Sequence, residues 1–219
     1  MRRIIVTSFV SLDGVMQAPG GPQEDPAGGF KFGGWTAPHF DQELGASMGQ
    51  IFGRPFDLLL GRKTYDIFAA HWPFVTDAND PIAGIFNGVT KYVASRKSPK
   101  LAWRNSQLLG EDVVASLKEL KSGDGPDLLV QGSSDFLQTL WKNGLVDEFS
   151  VLIFPLVLGK GKRLFGDGAV PAGLKLVKSQ SYPTGVIVAN YVPAGEVKIG
   201  DFQLAEPSGA ELERRRNLT

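Results

Sequence analysis

The sequence has no cysteine and only two histidines, His39 and His71, among 219 residues. The first absence excludes disulfides, thiolate zinc sites and a cysteine nucleophile. The second leaves too few soft ligands for a transition-metal centre, and each histidine reads as a surface or loop residue. Net charge is missing as well, since 23 Lys and Arg balance 23 Asp and Glu. No global basic field favours nucleic acid or an anionic membrane, so any anion must be bound locally. No stretch approaches a membrane span. The apolar start Ile4-Ile5-Val6 is interrupted by Thr7 and Ser8 before a signal-peptide core forms. A cytoplasmic protein without nucleic-acid or membrane partners is expected.

What is present suffices for one full core: 42% of the residues are hydrophobic. One domain is expected over 1–193. A polar tail follows over 194–219, with Arg214-Arg215-Arg216 read as solvated.

The chain is organised around Asp57-Leu58-Leu59-Leu60-Gly61-Arg62-Lys63-Thr64-Tyr65. Three leucines closed by glycine read as a short buried strand. Glycine, two cations and a threonine then stand where the chain turns into a helix. Such a turn offers free backbone N–H groups and the positive end of a helix dipole, the chemistry of a phosphate seat. A strand, a glycine turn and a solvated basic helix start produce the same pattern without a ligand. It is not a Walker loop, and Gly159-Lys160-Gly161 lacks the third glycine of the dinucleotide fingerprint.

Before this stretch, Arg3–Val10 reads as a central strand ending at Asp13-Gly14. Gln17 to Gly34 holds three prolines and six glycines and reads as a long loop. Its aromatics suggest a lid: Phe32 and Trp35 either cover a flat ligand or pack against the first helix. Pro38 is expected to open that helix, with Thr36 as cap and Phe40, Leu44, Met48 and Ile51 on one face. Asp41 and Glu43 fall in its first turn. Further along come a short helix over 82–86, a strand over 91–94 ending at Ser95-Arg96, and a short strand at 108–109. A helix over 111–121 and a strand over 127–132 ending at Gly132-Ser133-Ser134 follow, then a helix capped by Ser133 or Ser134. Up to there the order is strand, loop, helix, which argues for a largely parallel sheet. Strands over 148–158, 174–181 and 186–192 follow, the last two joined by Pro183-Thr184-Gly185 as an antiparallel hairpin.

Ligands of open α/β sheets collect beyond the carboxyl ends of the strands. Two of those ends are glycine turns into helices, suited to a pyrophosphate. Ser95-Arg96 offers a hydroxyl and a guanidinium, suited to a separate phosphate monoester. A phosphorylated dinucleotide is the expected ligand.

The order Ser11-Leu12-Asp13-Gly14, Leu60-Gly61-Arg62-Lys63-Thr64-Tyr65, Val93-Ala94-Ser95-Arg96, Gln131-Gly132-Ser133 and Phe154–Phe165 resembles the dihydrofolate-reductase-like family. The branch it is most similar to is the reductase domain of the bifunctional riboflavin-biosynthesis deaminase/reductase. The resemblance implies an α/β fold, a three-layer αβα sandwich with a mostly parallel sheet and a C-terminal antiparallel hairpin. It also implies NADPH as hydride donor, a homodimer, and reduction of a pterin- or pyrimidine-like heterocycle. Carried over, Gly61, Arg62, Lys63 and Thr64 meet the cofactor phosphates. Ser95 and Arg96 hold the adenosine-side phosphate, and Gly132, Ser133 and Ser134 form the pyrophosphate turn. Leu158-Gly159-Lys160-Gly161 matches a family signature, and reads equally as a structural turn. For proton delivery the candidates are Asp13 and Asp41, each with an ordinary reading as a turn or first-turn acid. Phe32 and Trp35 are the candidate substrate contacts. A non-catalytic nucleotide-binding protein of the same fold is the alternative function.

Overall fold

The computed structural model describes residues 1–77, 80–202 and 204–218. Eight strands form one sheet: β1 (Ile4–Ser11), β2 (Phe56–Gly61), β3 (Lys91–Ala94), β4 (Ser106–Leu108), β5 (Asp127–Val130), β6 (Glu148–Phe154), β7 (Leu174–Ser181) and β8 (Ile187–Pro193). Their spatial order is β4-β3-β2-β5-β1-β6-β8-β7. The first six are parallel, and β8 runs antiparallel to both β6 and β7. The mostly parallel sheet with its antiparallel hairpin is therefore as the sequence implied. β1 sits at its centre because Ile4, Val6 and Val10 face one apolar layer while Phe9 reaches the other.

Among the described residues five α-helices flank the sheet, α1 (Gln42–Phe52), α2 (Arg62–Ala69), α3 (Pro81–Gly88), α4 (Val113–Ser122) and α5 (Ser134–Lys142), and a sixth, α6 (Gly209–Arg216), stands apart in the exposed C-terminal segment. Leu44, Met48 and Phe52 of α1, Tyr65 of α2 and Phe86 of α3 pack on one face, with Leu58, Leu60, Leu129 and Leu152 beneath them. Leu117 of α4 and Phe136, Leu137 and Leu140 of α5 pack on the other, over Val6, Leu59, Leu128 and Val130. This is the expected three-layer arrangement.

Several boundaries differ from expectation for identifiable reasons. Pro38 lies in a single 3-10 turn, Ala37–His39, that ends at extended Phe40. The helix proper starts after Asp41, whose carboxylate accepts from the Leu44 N–H at 2.8 Å. Thr36 is thus not its cap, and Phe40 is off its apolar stripe. β6 stops at Phe154 rather than Leu158 because Pro155 has no N–H to give the ladder. Beyond Pro193 the chain is exposed and carries α6, a helix that apolar periodicity does not reveal. It is held locally, by Arg214 and Arg215 on Glu211 at 2.6 and 2.8 Å.

Gly45 and Gly49 sit mid-helix on the exposed side of α1, where an added Cβ meets nothing within 4 Å. Changing either to Ala removes backbone freedom from the unfolded chain without a native clash. Each change is expected to stabilise the protein by about 0.5–1 kcal/mol in urea titration.

Candidate functional site

The carboxyl ends of β2 and β5 lie side by side, and the helices that follow them begin there together. The Gly61 N–H donates to the Gly132 carbonyl at 3.2 Å, stitching the two turns. Neither turn has room for a side chain. A Cβ on Gly61 would stand 2.6 Å from Ser133 Oγ, 2.9 Å from Phe136 Cβ and 3.0 Å from the Ser133 nitrogen. A Cβ on Gly132, whose φ is +138°, would stand 2.7 Å from Thr64 Oγ1. The Gly132–Ser133 peptide is cis. These contacts bring Gly61, Thr64, Gly132 and Ser133 into one cradle, with Ser134 opening α5 beside it.

The two helices at this cradle differ from the rest. Asp41, Asp80, Asp112 and Ser208 each accept a hydrogen bond from a first-turn N–H of α1, α3, α4 and α6. At α2 and α5 the N-cap residues, Gly61 and Ser133, make no side-chain cap bond. First-turn N–H groups of two adjacent helices are thus left for an outside acceptor, and two dipoles converge on one place. Gln131, just before the cradle, adds a buried Nε2 with no partner among the described residues. A glycine cradle with converging donors fits a pyrophosphate.

Ser95 and Arg96 follow β3, the neighbour of β2 in which Ala94 pairs with Gly61. Ser95 Oγ accepts from the Lys97 N–H at 3.2 Å, and Arg96 is exposed. They stand at the edge of the cradle, one strand outward. Arg62 turns away onto Asp66, 2.7 Å distant and one helical turn on. Lys63 instead meets Asp25 at 2.8 Å.

That last contact belongs to a network the sequence did not reveal. Asp25, buried in the long loop, also holds Lys162 at 2.5 Å. Gln17 donates to the carbonyls of Asp25 and Ala27, both at 2.9 Å, and its own amide oxygen accepts from the Lys162 N–H at 3.0 Å. The loop is thereby folded against α2 and the segment after β6. Desolvation pushes the Asp25 carboxyl up, but hydrogen bonds from Lys162, Lys63 and its own loop outweigh it and hold the pKa below the usual range. Hydrogen bonding to Asp25 raises Lys63, whereas burial lowers Lys162. Only a residue-type clue was available beforehand: two adjacent acids, Glu24 and Asp25, among glycines and prolines, with the partner lysines far off in sequence.

Asp13 is a fastening residue. Its carboxylate accepts from Ser11 Oγ at 2.6 Å and from the N–H groups of Leu158 and Gly159 at 3.1 and 2.8 Å. Arg163 donates to its carbonyl. The Ser11 hydroxyl and these N–H groups outweigh desolvation and lower its pKa to about 2. These bonds commit the Asp13 carboxylate to fastening the two segments, its ordinary reading as a turn acid. The same bonds explain Leu158-Gly159-Lys160-Gly161. It straps residues 13–16, and Gly161 stands there at φ +143°, where a Cβ would lie 2.5 Å from Val15 Cγ1.

Trp35 is also a structural element here. It is buried, its Nε1–H donates to the Gln17 carbonyl at 2.8 Å, and its ring meets Phe154 edge-on at 5.2 Å. A substrate could stack on it only if the loop unpacked. Phe32, half-exposed, has one edge contact with Phe30 at 5.9 Å. Asp41 caps α1 next to Phe40, which packs on Phe9 at the end of β1.

Comparison with known proteins puts this geometry in context. Residues 2–188 match the model of the RibD C-terminal domain. The chain belongs to this family. YyaP of Bacillus subtilis, a protein without assigned activity, is 28% identical over 192 residues, 87% of this chain and 94% of YyaP. The fold is shared with a protein assigned to riboflavin biosynthesis in Shewanella sp. PV-4, with TM-score 0.61 and 21% identity over 88% of this chain and 99% of that one. It is shared too with a dihydrofolate reductase from Enterococcus faecalis, solved with NADP(H). There the TM-score is 0.53 and the identity 11%, over 87% of this chain and 96% of that one. Membership of a reductase-domain family agrees with a reductase-type fold. No helix among the described residues is long and apolar enough to cross a membrane.

Proposed function

We propose that this RibD C-terminal-domain protein is an NADPH-dependent reductase of a small pterin- or pyrimidine-like heterocycle. The observation that carries the reading is the pair of helix starts without side-chain caps, locked together at Gly61 and Gly132 beside Ser95 and Arg96. In this reading the N–H groups around Gly61, Gly132, Ser133 and Ser134, with Thr64 Oγ1 and Lys63, hold the pyrophosphate. Lys63 exchanges Asp25 for phosphate as it does so. Ser95 and Arg96 take the monoester that separates NADPH from NADH. When bound, the cofactor supplies the hydride. The chain's part is to orient it, exclude water with the long loop, and place a proton source at the end of β1. With Asp13 committed to fastening the segment after β6, Asp41 or a water that it orders fills that role. The NADP(H)-bound dihydrofolate reductase of the same fold supports the choice of cofactor. A homodimer is proposed with it: β7 is a sheet edge whose residues are all exposed, Leu176 and Val177 among them.

Tryptophan-fluorescence titration with NADPH and NADH tests this directly. Arg96→Ala removes one charge-assisted phosphate contact and is expected to weaken NADPH binding about 10- to 100-fold while leaving NADH unchanged. No binding of either nucleotide would refute the reductase reading. Tight NADPH binding without oxidation across pterins and pyrimidines would mark a binding protein instead.

A further inference from the structure

The segment after β8 has the sequence of a strand and no strand to pair with. Pro193 and Pro207 bound a proline-free run in which Val197 and Ile199, then Phe202 and Leu204, stand two apart. That spacing puts each pair on one face of an extended chain. All four side chains are exposed, Ile199 and Phe202 essentially in full. Between β8 and α6 no helix or strand forms among the described residues. The root of the segment is nevertheless fixed. The Ala194 N–H donates to the Gly173 carbonyl at 2.8 Å and the Gly173 N–H to the Gly195 carbonyl at 2.7 Å, so the chain leaves the sheet beside the start of β7.

β7 is the matching surface. It is the last strand of the sheet, with no strand against its outer side, and it is exposed along its whole length. Leu174 and Leu176 stand two apart on it, 38% and 49% exposed. Its charges are Lys175 and Lys178, with no acid between or beside them in the strand. Residues 194–206 carry Glu196, Asp201 and Glu206 against a single cation, Lys198. A strand-like segment of net negative charge and an open, positively charged strand edge complement each other in backbone hydrogen bonding, apolar contact and charge. We propose that residues 196–204 of each copy lie as an added strand on the β7 edge of a second copy, so that the homodimer is held by an exchange of arms.

The direction of the chain favours a second copy over the arm's own sheet. The Ala194 and Gly195 bonds to Gly173 carry the arm past the start of β7 in the direction of β8, and among the described residues no backbone hydrogen bond joins 196–204 to β7. To lie on its own β7 the arm would have to double back around Gly173, whereas a second copy offers the same edge without that reversal. Nine extended residues span about 30 Å, enough to run the length of β7. One apolar pair of the arm then covers the face of the partner's Leu174 and the partner's Leu176, and the other pair lies on the opposite face. An open edge that invites indiscriminate pairing is thereby closed by this chain itself. The exchange rests on the homodimer proposed above and is independent of reductase activity.

The test uses the full chain and sedimentation equilibrium, which gives the dimer dissociation constant. The wild type should be dimeric. Ile199→Ser/Phe202→Ser should weaken association about tenfold or more, and Lys175→Glu/Lys178→Glu should do the same. Adding Glu196→Lys/Glu206→Lys to the second pair should restore the dimer by exchanging the charges. All six side chains are exposed, so circular dichroism should show each variant folded. A monomeric wild type would overturn the exchange and the homodimer together. A dimer indifferent to every one of these changes would overturn the exchange and leave the homodimer standing. Because the chain has no cysteine, a bismaleimide joins only introduced thiols in Leu176→Cys/Phe202→Cys. Covalent dimers are expected; a link closed within one chain, or none, would overturn the exchange. No outcome here touches NADPH binding, so the reductase reading stands or falls by its own titration.

Discussion

Gly61→Ala is expected to cost about 3 kcal/mol of stability and to lower NADPH affinity by at least a hundredfold. Its new Cβ would meet the Ser133 nitrogen at 3.0 Å and Phe136 Cβ at 2.9 Å. The first is backbone and the second is fixed by α5, so neither can swing aside as a side-chain tip would. The start of α5 has to back away from β2, and overpacking of this kind typically costs 1–3 kcal/mol or more. The same displacement separates the two sets of donors that the phosphate seat needs together. Gly132→Ala should behave alike by another route. Its φ of +138° is strained for any side chain, and its Cβ would collide with Thr64 Oγ1 at 2.7 Å. Adding Thr64→Ala to Gly132→Ala removes the collision but not the strain, so part of the stability should return. Urea midpoints report the first effect. Nucleotide titration, at a temperature where circular dichroism shows each variant folded, reports the second. A Gly61→Ala protein that binds NADPH as the wild type does would remove the cradle from the proposed site.

How much of this was legible in the sequence depends on how far apart the partners stand. β3 and β7 were readable to the residue, because β-branched and apolar runs bounded by turn residues are local signals. The phosphate seat was readable as a glycine turn into a helix, twice over. Its steric lock was not, since Gly61 and Ser133 meet only through strand pairing between β2 and β5. Asp13 shows the limit most clearly. Its place before Gly14 marked a turn, but the N–H groups that fix its charge come from Leu158 and Gly159, about 145 residues on. The tie of Asp25 to Lys162 spans 137 positions and has no periodicity to betray it. The start of α1 failed for a local reason. Proline suits the first turn of an α-helix and equally a 3-10 turn, and the extended backbone at Phe40 decided between them.

Raising the pH from 7 to 9.5 should stabilise this protein by about 2 kcal/mol, through a residue that sequence reading passed over. Lys91 opens β3 and is fully buried. Its Nζ donates to the carbonyls of Asn87 and Arg104 at 3.1 and 3.2 Å and lies 4.3 Å from the centre of the Trp103 ring. Burial, with the nearby Arg104 charge adding to it, pulls its pKa down to about 8, and Asp57 opposes the change. In the unfolded chain a lysine titrates near 10.4. Below pH 8 both states are protonated, and the cost of burying the charge is present in full. Between pH 8 and about 10.4 the folded form has released its proton while the unfolded form still holds one, so stability rises with pH. The full gain, reached above that range, is about 3 kcal/mol. Lys91→Met has no proton to lose and should show a flatter profile, isolating this residue from other groups that titrate in the interval. Urea midpoints of both proteins at pH 7 and 9.5 provide the comparison. Parallel profiles would mean that the carbonyls and the Trp103 ring keep Lys91 charged through this range, so that burial does not control its proton.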